Sequence, residues 1–519
     1  MPIKTLLEYA TDNMLIHLLV KERAKFRRRN RADKHHTLDK DCDISDLTTR
    51  KKLSRLMPPR STWVRPSKRT TLPNKASDTS KNAEKALWLT IKRDKELQEQ
   101  GASFDYLNEL QAFLATIRNR LAANQFEFES PLLMPILKDT ELQDDGTLKV
   151  TCRPLSVYSR LEDKIILALT SRYLTRYFDR YLHSNILSYR PARNFNGENH
   201  KVTDFNDGIK LINAFREAHH SETIYASDCD IRKFYDIIPH QVVRDCFSRM
   251  LHQSKLSEEG KQQIMQVVDA YLASYNFYAN AWQESQDNDE AYAKVRRRLH
   301  DSDQENAYQL GWVDSLPVEQ AQDRGVPQGG SLSLLIANIV LNDVDRILTE
   351  TNDENRLFIR YCDDMILLHT DYSECCRLMD AYADSLNSHG LFYHPFKSVS
   401  DCSRKEFWHI KSHRPFLWGE GNGNCNRYIG FLGYELHRDG RMRLRKSNIK
   451  RIEEKLDRLK YALRRYRKKH TEAEFEAHKE KVLNNLLNGI NFYTAFDLQQ
   501  FKFGSQYRHI ENLVNKLRA

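Results

Sequence analysis

The chain has 519 residues, 40% hydrophobic and 29% charged, enough to bury a sizeable core in more than one structural unit. No apolar run approaches the ~20 residues of a membrane span, which argues against a membrane protein. The nine cysteines form no CxxC pair, which points to a reducing compartment, and Lys plus Arg exceed Asp plus Glu by 81 to 71.

Residues 1 to 57 read as helical. The opening MPIKTLLEYATDNMLIHLLVKERAKF interrupts its apolar positions with Glu8, Asp12, Asn13 and His17, which fits an amphipathic helix and not a signal peptide. Lys21 to Lys34 is strongly basic, readable as a solvated face or as a nucleic-acid contact. Residues 58 to 80 have the Pro, Ser, Thr and Lys content of an extended connector, and helical spacing returns from Asn82 to Asn124. Two alternating runs around Asp145-Gly146 predict a hairpin, with Lys138 and Arg153 on its two arms.

A long helix over LEDKIILALTSRYLTRYFDRYL leads to the loop SYRPARN and then to a short strand from Thr223 to Asp230. A helix-rich segment, 241 to 312, precedes the glycine-rich RGVPQGG, which opens the apolar helix SLSLLIANIVLNDVDRIL. Two strand-like runs flank a tight turn at Tyr361 to Asp364, and YIGFLGYELHRDGRMRLR predicts a hairpin turning at Asp439-Gly440. In the tail, Ile449, Ile452, Leu456, Leu459, Leu463 and Tyr466 form a helical stripe that must pack on something. Residues 441 to 470 hold fourteen Lys or Arg against three acids, so the opposite face is basic.

The pair Asp363-Asp364 sits at the end of an apolar strand, where isolated carboxylates are costly and repel each other. A bound cation removes both problems, and oxygen ligands favour a hard ion such as Mg²⁺. Asp230 ends another apolar run and offers a third carboxylate, with the Ile231 carbonyl as a further ligand. Three such ligands can hold two metal ions for nucleotidyl transfer. The competing reading is a plain polar turn, and Asp228 and Asp236 are lesser candidates for the third carboxylate.

The ordered set Asp230-Ile-Arg-Lys-Phe-Tyr-Asp236, Val326-Pro-Gln-Gly-Gly-Ser331 and Tyr361-Cys-Asp-Asp364 resembles the palm motifs of reverse transcriptases. Phe431-Leu-Gly-Tyr434 resembles that family's primer grip, and Tyr189-Arg-Pro-Ala-Arg193 its second finger motif; the likeness spans roughly residues 125 to 470. It implies an α+β right-hand fold: a basic helical N-terminal extension and linker at 1–80, fingers at 81–222, palm at 223–440 with a helical insertion at about 255–320, and a basic helical thumb at 441–519.

Carried over by resemblance, Asp230, Asp363 and Asp364 are the metal ligands, with Mg²⁺ the expected ion and Mn²⁺ the alternative. Tyr235 falls at the steric gate that excludes a ribose 2′-hydroxyl, which makes dNTPs the expected substrates. Lys138 and Arg153 resemble triphosphate clamps, Gln328 and Gly329 contact the nascent base pair, and Lys397 stands near the departing pyrophosphate as a general acid. Tyr361, Phe431, Leu432, Gly433, Arg190, Arg443, Arg445, Lys446 and Lys450 are the expected primer and template contacts. The long Lys138–Arg153 interval and the 98 residues from Asp230 to Gln328 depart from the family pattern. Cys402, His409, His413 and Cys425 match no common zinc spacing.

With no HNH-like or RNase H-like carboxylate set in view, the chain looks most like the bacterial defence-associated reverse transcriptases of the unknown-group lineages. That likeness implies a cytoplasmic enzyme with an RNA template, which in some members of these lineages is a dedicated non-coding RNA, and a DNA product. Protein-primed or template-independent synthesis and a non-catalytic RNA-binding scaffold are the alternatives. The amphipathic N-terminus suits either self-association as a homo-oligomer or packing on the fingers.

Overall fold

The computed structural model describes residues 5–36, 44–66, 76–142, 148–190, 194–195, 198–199, 205–277, 308–310, 323–493 and 504–518. They form two compact units. The first comprises 1–182, 233–343 and 388–392, and the second 183–232, 344–387 and 393–519. Among the described residues no helix is long and apolar enough to cross a membrane.

The first unit opens with two helices where the sequence suggested one: α1 (Leu6–Tyr9), closed by a Thr5–Glu8 capping box, and α2 (Asp12–His36). The break falls at Ala10, whose backbone leaves the helical region. Tyr9 packs edge-on against Tyr173 of α3 (Leu161–Phe178), so the N-terminal apolar face lies on the body of this unit. The predicted hairpin is present as β1 (Leu132–Leu142) and β2 (Leu148–Val157), antiparallel. Ile136 pairs with Arg153, and the register slips between Leu137 and Asp139, which makes Lys138 the extra residue of a bulge. Side chains there, and the turn at Asp145-Gly146, lie outside the described residues, as does most of the 255–320 insertion apart from a helix at Glu258–Ala273 and a strand at Tyr308–Leu310.

In the same unit the glycine-rich turn leads into α4 (Ser333–Val344). Gly329 has φ +85°, and a Cβ there would meet Leu155 at 2.6 Å; a Cβ on Gly330 would meet the Tyr271 hydroxyl at 2.1 Å. These two glycines are dictated by backbone conformation and close packing.

The second unit is built on a five-stranded sheet. Its strands are β3 (Tyr225–Cys229), β4 (Arg356–Tyr361), β5 (Asp364–His369), β6 (His413–Trp418) and β7 (Cys425–Asn426), in the order β7-β6-β3-β5-β4. A separate meander of β8 (Tyr428–Phe431), β9 (Tyr434–His437) and β10 (Met442–Leu444) packs into the same core through Phe431, Tyr434, Leu436 and Met442. The meander has two turns, at Leu432-Gly433 and at Asp439-Gly440, where the sequence suggested only the second.

The tail forms α5 (Lys446–Arg467), α6 (Glu472–Tyr493) and α7 (Gly504–Arg518). The expected stripe packs as read: Leu456 is buried with Leu483, Leu486, Ile510 and Val514, while Tyr466 stacks on His478. Lys446 and Lys450, off that stripe, are exposed.

Candidate active site

The register of the central sheet explains how two distant aspartates meet. In the antiparallel pair of β3 and β5, Cys229 lies opposite Met365, so Asp230 follows one strand where Asp364 begins the other. Asp230 and Asp364 line one cavity, together with Lys411, Arg445, Leu432 and Gly433.

Asp230 is fixed through its backbone. Its N–H donates to Ser412 Oγ at 3.0 Å, and its carbonyl accepts the His394 N–H at 3.0 Å. Its carboxylate lies 3.4 Å from Lys411 Nζ and 3.8 Å from His394 Nε2. Asp228 accepts from the His413 ring at 2.8 Å and from the His413 N–H at 3.1 Å. It also lines the cavity, but its carboxylate is taken up by His413 and ties β6 to β3.

Asp363 and Asp364 follow from a two-residue hairpin in which Tyr361 pairs with Asp364. Asp364 keeps surface open to the cavity, yet packed protein first, and then the charges of Asp363 and Asp230, push its carboxyl up to about 7 against the pull of Arg445 and Lys411. Three all-oxygen donors whose negative charges oppose one another suit a hard divalent cation, and Asp230, Asp363 and Asp364 are the residues that would hold it. Their oxygens do not all fall within 4.8 Å of one another; among the described residues the group that does is Cys246, Asp343 and His389. In that group Arg249 is bound to Asp343 at 2.7 Å and already supplies the positive charge.

The turn facing this cleft is also a two-residue loop. Leu432 has φ 50° and Gly433 φ 85°, the sign pattern of a type I′ hairpin, with leucine where asparagine is usual. Gly433 accepts from the Arg445 N–H and from the Asn448 carboxamide, each at 3.0 Å.

Several expected contacts are placed differently. Arg190 is buried and donates to the carbonyls of His183 and Ile186, so it supports its own loop, a correction to the expected template contact. Lys397 does not line the cavity; its charge acts on Cys402 and Glu406, and Lys411 is the lysine beside Asp230. Arg443 is engaged by Glu435 and lies over the Tyr428 ring at 4.2 Å. Arg445 reaches the cavity across Trp408. Ile231 is buried and bridges to Tyr393, and Tyr361 packs against the sheet core. Of the zinc candidates, His413 is bound to Asp228 and Phe407, and the Cys402 and Cys425 thiols donate to the Val399 and Gly421 carbonyls.

In the first unit, the Tyr235 carbonyl accepts the Val326 N–H at 2.8 Å, and the Gln328 carboxamide donates to Asp236 at 2.8 Å. Tyr235 and Gln328 therefore sit on one hydrogen-bonded corner, with Asp236 orienting Gln328. Ser156 N–H donates to the Gln328 carbonyl at 2.8 Å, which ties this corner to β2.

The sequence did not single out Lys411 and Ser412, and it offered His413 only as a zinc candidate. Lys411 and Ser412 stand just before β6, which His413 opens; its pairing with β3 joins positions more than 180 residues apart, and no local pattern announces such a pairing.

The aspartate past one strand and the Asp-Asp hairpin on its neighbour thus meet on one sheet. Residues 138–436 match the family described as reverse transcriptase (RNA-dependent DNA polymerase), more than half of the chain. The chain belongs to the reverse transcriptase family, and its mixed helix–strand architecture is that of the right-hand polymerases.

Among solved structures, the chain is similar to telomerase from Candida albicans in complex with a telomeric RNA fragment (12% identity, 79% of this chain and 62% of that one, TM-score 0.35). It is similar also to apo telomerase from Candida tropicalis (12% identity, 91% and 80%, TM-score 0.39). A third is the RNA-dependent RNA polymerase of a human picobirnavirus (10% identity, 60% and 43%, TM-score 0.34). The chain spans less than two thirds of the first of these. No curated protein matches it.

Proposed function

We propose that this protein is an RNA-directed DNA polymerase that adds dNTPs to a 3′-hydroxyl. The observation that carries the reading is the convergence of Asp230, Asp364 and the Leu432-Gly433 turn on one cavity. Two divalent ions, Mg²⁺ in the first instance, would activate the attacking hydroxyl and stabilise the leaving pyrophosphate. Asp230, Asp363 and Asp364 hold those ions. The Leu432-Gly433 turn presents backbone to the primer end, and Lys411 with Arg445 balances the carboxylate charge. Tyr235 sorts deoxynucleotides from ribonucleotides, and the basic face of α5 binds phosphates without regard to sequence.

The finer reading is a bacterial, cytoplasmic, phage-defence enzyme with a dedicated non-coding RNA as template or scaffold. It is supported by the likeness of the motifs and by the helical, basic segment upstream of the matched region.

The test is primer extension on a defined RNA, followed by sequencing of the product and of the RNA that co-purifies with the protein. DNA complementary to an RNA supports the proposal. A homopolymer made regardless of template supports terminal transfer instead, and no dNTP incorporation under either metal contradicts both.

A further inference from the structure

The hairpin carrying Asp363 and Asp364 contains a residue in an unfavourable conformation. Cys362 has φ 58°, while Asp363 does not share the positive φ. That is the sign pattern of a type II′ turn, whose first central position normally belongs to glycine. A residue with a Cβ holds such a conformation only where its surroundings impose it.

The surroundings do so from both sides of the Cys362 residue. Its N–H donates to Ser188 Oγ at 2.8 Å, and its carbonyl accepts from Arg360 Nη1 at 2.9 Å. Ser188, Arg360 and Asp345 are fully buried. Arg360 Nε in turn donates to Asp345 Oδ2 at 2.6 Å. The segment bearing Ser188 is itself fastened to β4: Arg360 N–H donates to the Asn185 carbonyl at 3.1 Å, and Leu187 N–H to the Arg360 carbonyl at 2.9 Å.

A buried ion pair of this kind is poor value as a source of stability, since well-packed apolar residues often do as well or better. Its geometry supplies a different reason for it: the guanidinium that Asp345 orients is the donor that fixes the carbonyl one peptide before Asp363.

We propose that Asp345, Arg360 and Ser188 are positioning residues that clamp the Cys362 turn and so set the Asp363 and Asp364 carboxylates for metal binding and nucleotidyl transfer. The inference rests on the reading of those two aspartates as metal ligands.

The test uses Ser188→Ala, Arg360→Lys and Ser188→Ala with Cys362→Gly in the full chain, with Asp364→Asn as reference. Thermal unfolding establishes that each variant is folded. Steady-state dNTP incorporation is measured across a Mg²⁺ titration. Ser188→Ala, the milder change, should lower kcat about tenfold and raise the half-saturating Mg²⁺ severalfold, with the dNTP KM and primer–template Kd within about twofold of wild type. Arg360→Lys should do the same if it folds; if it does not, Ser188→Ala decides. Adding Cys362→Gly should restore much of the metal affinity, because glycine takes positive φ without a steric cost. Unchanged kcat and metal requirement in folded Ser188→Ala, or no recovery with glycine, overturns the clamp while Asp364→Asn remains inactive. An active Asp364→Asn overturns the underlying reading and the clamp with it.

Discussion

Gly433→Ala is a sharp test of the turn that faces the aspartates. Gly433 has φ +85°, and a Cβ there would lie 2.5 Å from Asn448 Nδ2. Forcing alanine into a left-handed conformation costs about 1–2 kcal/mol. Relieving the clash moves the Asn448 carboxamide off the Gly433 carbonyl, which it binds at 3.0 Å, at a further cost of about 0.5–1.5 kcal/mol. The combined perturbation is therefore about 1.5–3.5 kcal/mol, concentrated on a loop that lines the cavity. Thermal unfolding and primer-extension kinetics read it together: the variant should melt several degrees lower, or keep its melting temperature by letting the turn relax and lose about tenfold or more in primer extension. Wild-type melting and wild-type extension together would refute the assignment of this turn as strained and close to the primer end.

Two further outcomes follow from the site. Because Asp364 is held up to about 7, it is protonated below that pH and ionised above it; since a metal ion needs the carboxylate, the half-saturating Mg²⁺ should be about tenfold higher at pH 6 than at pH 8, whereas an ordinary aspartate near 3.9 would give a flat profile. Tyr235→Ala should raise ribonucleotide relative to deoxynucleotide incorporation by about tenfold or more in a competition assay, and unchanged discrimination would move the gate to another residue.

The parts of this protein legible in its sequence are those written in local pattern. The stripe from Ile449 to Tyr466 gave α5 its packing face, and the apolar runs ending at Asp230 and flanking Cys362-Asp363 marked the strands that meet in the central sheet. Less legible was anything set by pairing across distance. Lys411 looks like any surface lysine until β6 lies beside β3 and brings it to Asp230. Arg190 reads as a nucleic-acid contact through the resemblance of its motif, yet here its side chain is buried and its donors satisfy the carbonyls of His183 and Ile186. The turn at Leu432-Gly433 lacks the Asn-Gly signal because leucine is held left-handed, its side chain packed against the core of the second unit. Cys362 is the same case at the other turn: its conformation comes from Ser188 and Arg360 and not from its own preference.

The most direct measurement of the central claim is Mg²⁺-dependent dNTP incorporation by the Asp363→Ala, Asp364→Ala double variant, alongside its melting temperature and RNA affinity. Removing two carboxylates that repel each other and Asp230 should leave the melting temperature unchanged or raised, and RNA binding intact, while incorporation falls to background. Residual metal-dependent polymerisation by the folded double variant would contradict the account.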